Sequence, residues 1–133
     1  YDACNLTKLR DEKESVKWYA KAAEQNHTKA QLKLAHIYRN GRGVLKDPKE
    51  EAAWLHKAAS NSDESALILL QRSAEEGVTE AQYSLGFMYA KGEGVVRDMR
   101  RAKELLGQAY EKGDSEMKTA SKKVSDEHEL WKY

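Results

Sequence analysis

The side chains best suited to proton transfer or metal ligation are His27, His36, His56 and His128, with one cysteine, Cys4. Zinc sites pair such ligands at fixed helical or loop spacing, as in H-E-x-x-H or paired cysteines. No two of these histidines stand four residues apart, and Cys4 has no cysteine partner. The glycine loops Gly41-Arg42-Gly43-Val44 and Gly92-Glu93-Gly94-Val95 lack the G-x-x-x-x-G-K-[ST] order of a phosphate loop and follow helical patterns instead of strands. No nucleophile-elbow motif occurs. Arg97, Arg100, Arg101 and Lys103 form a basic run, but Asp98 and Glu104 dilute it and no aromatic residue interleaves it. The reading is of a chain with no catalytic residue, no metal ligand set and no cofactor, and with no nucleic-acid partner.

Composition agrees with a soluble, helical chain and says nothing about activity. The 133 residues suit one domain, and 23 Lys+Arg against 22 Asp+Glu leave no net field to attract nucleic acid or membrane. Mean hydropathy is −0.88. No stretch approaches the roughly 18 apolar residues of a membrane span, so no membrane insertion is expected. A single cysteine cannot form an internal disulfide. The sequence begins at Tyr1 without a methionine, which reads as a processed or trimmed product.

The elements that carry these residues repeat. Ala30-Gln31, Leu34, Tyr38 and the Gly41 loop return 51 residues later as Ala81-Gln82, Leu85, Tyr89 and the Gly92 loop. Trp18-Tyr19-Ala20-Lys21-Ala22-Ala23 returns 36 residues later as Trp54-Leu55-His56-Lys57-Ala58-Ala59. Ala66, Leu69-Leu70 and Gly77 return after 36 as Ala102, Leu105-Leu106 and Gly113. A 36-residue unit of two helices accounts for this, with one irregularity between Ala59 and Ala74. Helices are predicted near 11–25, 28–40, 47–59, 63–76, 79–91, 98–112 and 115–129. Thr28 and Thr79, each three residues before a glutamine, read as capping boxes. Asp47 and Asp98 read as N-caps, Pro48 as a first helical residue, and the glycine loops as left-handed helix ends. Ala30, Leu34 and Tyr38 share one face, and such a pair of helices must stack on neighbours to bury it.

The runs from Trp18 to Val44 and from Ala74 to Val95 closely resemble the Sel-one-like repeat family, a relative of the tetratricopeptide repeats. The resemblance covers about residues 11–113. It implies an all-α, right-handed α/α solenoid and a non-catalytic adaptor or scaffold that binds another protein or peptide on its concave face, as a monomer or weak oligomer. Many bacterial members are exported, which favours a periplasmic or secreted bacterial protein, with a cytoplasmic one left open. Two other readings stand beside the scaffold: an immunity or inhibitor protein blocking a toxic effector enzyme, and a cell-wall or glycan-associated protein or enzyme.

Tetratricopeptide geometry places the concave face on the helices that end in the glycine loops. Its variable positions are Lys29, Leu32, His36 and Arg39 in the first unit, and Glu80, Tyr83, Phe87 and Lys91 in the second. Tyr83 and Phe87 are one turn apart and are not required by the Ala81-Leu85-Tyr89 stripe, so they are expected to form an aromatic anchor with Arg39 and His36 as donors beside it. The units run about 11–46, 47–77 and 78–113, with residues 114–133 as a C-terminal cap. About 21 residues are absent after Asp63 relative to a full unit. Either a helix has been lost there, or Asp63 and Glu64 are not natural neighbours. Leu6 is expected to be the trace of a preceding helix.

Overall fold

The computed structural model describes residues 3–133, with side chains from Leu6 onward, so Cys4 lies outside what can be said of side chains. The elements are α1 (Ala3–Glu24), α2 (Thr28–Asn40), α3 (Pro48–Ser60), α4 (Glu64–Glu75), α5 (Thr79–Lys91), α6 (Met99–Lys112) and α7 (Ser115–Glu127). A single 3-10 turn, Leu130–Lys132, follows α7. The described residues contain no strand. Leu6 belongs to α1 itself, which starts earlier than its Ala-rich end predicts.

Helix starts are set by short acidic side chains. Asp47 accepts from the Lys49 and Glu50 N–H groups, and Pro48 takes the first position. Asp63, Asp98 and Asp114 accept from Ala66, Arg101 and Met117 in the same way. Helix ends at Gly41 and Gly92 adopt φ of 69° and 73°, and their N–H groups close on Ile37 and Met88 carbonyls. Only a residue without a Cβ takes that conformation freely.

Two expected caps are corrected. The N-cap of α2 is His27, whose Nδ1 accepts from the Ala30 N–H at 3.2 Å, and that of α5 is Val78, with no side-chain cap bond. Gln31 and Gln82 do not complete capping boxes. Each is buried, and its Nε2 donates backward to the last turn of the preceding helix, at Ala23 and Ala74 (3.1 and 3.0 Å). A buried amide bonds the nearest orphan carbonyl, and here that carbonyl belongs to another helix.

Sequential helices pack as antiparallel pairs in two layers. Leu34, Leu55, Leu70, Leu85 and Leu106 are fully buried between them, with alanines at the closest approaches. Gly86 lies against Leu106 and Leu105, where a Cβ would come within 2.8 Å of Leu106. The α3–α4 junction is a tight turn: the Asp63 N–H reaches the Ala58 carbonyl at 3.2 Å, and Ser62 takes φ of 68°. With this turn in place, helix order decides layer membership. Trp54 of α3 packs on the cluster of Ala23, Ala30 and Leu34, as Val16 and Tyr19 of α1 do, α3 packs on α5, and α5 packs on α7. The loop after α5 lies on the end of α3, with Gly94 against the Ala59 carbonyl, so α3 and α5 run parallel. In the other layer, Arg39 of α2 reaches Glu76 at the end of α4, and α4 faces α6. Helices α1, α3, α5 and α7 therefore form one layer, and α2, α4 and α6 the other.

Candidate functional site

The two glycine-ended helices occupy opposite layers, so the structure does not bring the two expected halves of the binding face together. On α2, Lys29 and His36 are exposed, while Leu32 packs against the core around Leu55 and Leu70. Arg39 is an inter-helix brace: its guanidinium lies 3.6 Å from Glu51 of α3 and 3.4 Å from Glu76. Glu51 is buried and also accepts from the Ser73 hydroxyl at 3.3 Å. Burial raises the Glu51 carboxyl above the ordinary range, while Arg39 and the Ser73 hydroxyl pull it down. The cleft beside these residues holds only about 10 Å³. Arg39 is thus not a donor beside Tyr83 and Phe87: it lies in the other layer, against Glu51 and Glu76.

The α5 half lies on the other layer, along a groove between α3, α5 and α7. The groove holds about 270 Å³, with Ala52, Ala53, Tyr83, Met117 and Ala120 as its apolar surface and Lys49, Glu80, Asp114 and Glu116 at its polar margin. Tyr83 and Phe87 are neighbouring rings, 6.2 Å apart. Both are half-buried and pack against the cluster of Ala90, Ala102, Leu106, Val124 and Leu130. They therefore help seat α7 as well as facing outward, which the α5 repeat pattern does not reveal. Phe87 continues onto His56 of α3 at 5.8 Å, and the Lys91 ammonium sits 4.5 Å above its ring. Burial pushes the His56 imidazole below its ordinary pKa, opposed by Glu93 and by a hydrogen bond to the Ser84 backbone. Burial, aided by Glu127, raises the Tyr83 phenol.

His56 and Met117 are the members of this surface that the sequence reading missed. His56 lies in the repeated Trp54–Ala59 stretch, and only the docking of α5 covers it. Among the described residues no three His, Cys, Asp or Glu side chains are grouped to hold a metal ion.

A sequence profile described as the Sel1 repeat matches residues 7–27, 28–63, 61–78 and 79–114. The chain belongs to the Sel1 repeat family. The two long matches each pair a glycine-ended helix with the helix after it, α2 with α3 and α5 with α6. Among curated relatives, chitin synthase regulatory factor 3 of Schizosaccharomyces pombe is 34% identical over 106 residues, which cover 79% of this chain and 10% of that protein. Chitin synthase regulator SKT5 of Malassezia restricta is 32% identical over 102 residues, 76% of this chain and 6% of that protein. The chain spans a tenth or less of these relatives. Both are fungal, so the bacterial source expected from the resemblance finds no support in them. Among solved structures, a Sel1 repeat protein from Oxalobacter formigenes is 32% identical, covering 79% of this chain and 52% of that one with a TM-score of 0.39. A protective antigen of uropathogenic Escherichia coli with an SLR fold is 25% identical, covering 90% and 27%, with a TM-score of 0.38.

Proposed function

We propose that this Sel1 repeat protein is a non-catalytic adaptor that holds a segment of another protein in the groove between α3, α5 and α7. The observation that carries the reading is the composition of that groove: Tyr83 and Met117 over an alanine floor, bordered by Lys49, Glu80, Asp114 and Glu116. Aromatic and methionine contacts inside a polar rim are the residue types that anchor protein interfaces. The partner side chain that fits is apolar, with polar neighbours of both signs, since the rim itself carries both. The regulatory names of the two curated relatives support an adaptor role; the enzyme they regulate is not carried over, given the small share of their length matched here.

The test uses a displayed peptide library selected on the full chain, with the best binder mapped by amide chemical shifts. The expected map centres on Ala53, Tyr83, Ser84, Met117 and Ala120. Ala53 is exposed in the groove, so Ala53→Arg fills the site without entering the core. It is expected to weaken binding at least about tenfold at unchanged melting temperature. A binder that maps to another surface, or that tolerates Ala53→Arg, overturns the reading.

A further inference from the structure

Helices α1–α2–α3 and α4–α5–α6 are equivalent at an offset of 51 residues, and they differ in what surrounds one shared buried glutamine. Gln31 and Gln82 are only 1% and 3% exposed, and both turn Nε2 onto the preceding helix end. In the first set the glutamine is embedded in a network. Gln31 Nε2 also donates to Asn26 Oδ1 at 3.3 Å, and Asn61 Nδ2 donates to Asn26 Oδ1 at 2.9 Å and to Gln31 Oε1 at 3.5 Å. In the second set Asn26 is replaced by Gly77 and Asn61 by Lys112. Gln82 Oε1 is left buried with no hydrogen-bond partner. An unmet buried acceptor costs on the order of 1–3 kcal/mol, so its neighbourhood favours any group that supplies a donor.

The same replacements leave a groove. About 330 Å³ opens between α4, α5 and α6, lined by Gln82 with Gln71, Gly77, Arg101, Gln108 and Lys112. It lies in the layer opposite the α3–α5–α7 groove and does not depend on that site. Gly77 has φ of 92°, like Asn26 at 65°, and no atom lies within 4 Å of where its Cβ would be. The backbone of the first network is therefore kept at Gly77 while its side chain is missing; at the other end the turns differ, with Ser62 at φ of 68° and its counterpart Gly113 at −77°. The chain itself shows the chemistry that fits: a carboxamide N–H where Asn61 stands in the first set.

We propose that this groove is a binding site for the carboxamide side chain of an asparagine or glutamine in a partner protein, which donates to Gln82 Oε1 as Asn61 does to Gln31 Oε1. Lys112 stands exposed at the Asn61-equivalent position and lines the groove.

The full chain, labelled with nitrogen-15, is titrated with N-acetyl-asparagine N-methylamide and, separately, with its alanine counterpart. The expected result is movement of the Gln82, Gln71 and Gln108 side-chain amide signals with the asparagine compound and not with the alanine one. Gly77→Asn with Lys112→Asn rebuilds the first network inside the chain. It is expected to weaken the asparagine response at least about tenfold, because the acceptor is then taken, whatever the strain of a side chain at φ of 92° does to stability. Three results overturn the proposal. One is an unmoved Gln82 signal, and another is an equal response to the alanine compound. The third is an asparagine response left unchanged by Gly77→Asn with Lys112→Asn, which shows that Gln82 Oε1 is not the group engaged.

Discussion

Replacing Arg39 with alanine separates a brace from a free binding residue. In the wild type its guanidinium stands 3.6 Å from Glu51 and 3.4 Å from Glu76, joining α2 to α3 and to the end of α4. Without it, Glu51 keeps the Ser73 hydroxyl, while Glu76 repels it and His36 is the remaining nearby base. Removing one partner of a fully buried pair costs roughly 3–5 kcal/mol. The Arg39 side chain is 36% exposed, so solvent screening lowers this to about 1–2 kcal/mol at neutral pH. At about 4 °C per kcal/mol for a domain of this size, the melting temperature falls by about 4–8 °C. The pH dependence identifies the cause. The folded pKa of Glu51 is raised, so ionising it costs stability as pH climbs from its ordinary value of 4.5 through the folded value. Loss of Arg39 raises that folded value further. The deficit of Arg39→Ala is therefore expected to be small near pH 4 and to grow toward about pH 7. Glu51→Gln in the same background removes the charge, keeps an acceptor for Ser73, and recovers most of the loss. Far-UV circular dichroism melts across this range supply the measurement. Unchanged melting at every pH refutes the brace, and a deficit independent of pH refutes the role of Glu51.

Tyr83→Ala with Phe87→Ala is expected to lower stability by about 2–4 kcal/mol and to speed amide exchange in α7 first, because both rings pack toward Val124 and Leu130; wild-type exchange in α7 refutes this. Leu85→Ala opens a cavity at a residue 1% exposed and should cost roughly 2–5 kcal/mol in denaturant melts, without the α7-selective exchange of the aromatic pair. Gly94→Ala drives a Cβ into the Ala59 carbonyl at φ of 75° and is expected to destabilise, whereas Gly107→Ala, exposed in α6 with open space around it, gains about 0.5–1 kcal/mol. Equal melting temperatures for the two alanine variants contradict that pair of expectations.

The helices and their ends were legible in local sequence. Asp47 with Pro48, Asp98, and the glycines at 41 and 92 mark helix boundaries through local backbone chemistry, which needs no tertiary context. The alanine and leucine stripes named the core, since Leu34, Leu55, Leu70, Leu85 and Leu106 all lie fully buried. Family membership was legible for the same reason: the repeat signature is a record of packing positions. Tertiary structure decided which helices share a surface. Helix periodicity gives the face of each helix but not its layer, and layer membership depends on the count of helices between two points. Because α4 follows α3 directly, α2 and α5 are separated by an odd number of steps and stand in opposite layers. That parity ties Arg39 to Glu51 and Glu76, covers His56 with Phe87, and places Tyr83 beside Met117. No spacing in the chain encodes these contacts, because each joins residues brought together only when one helix pair stacks on the next.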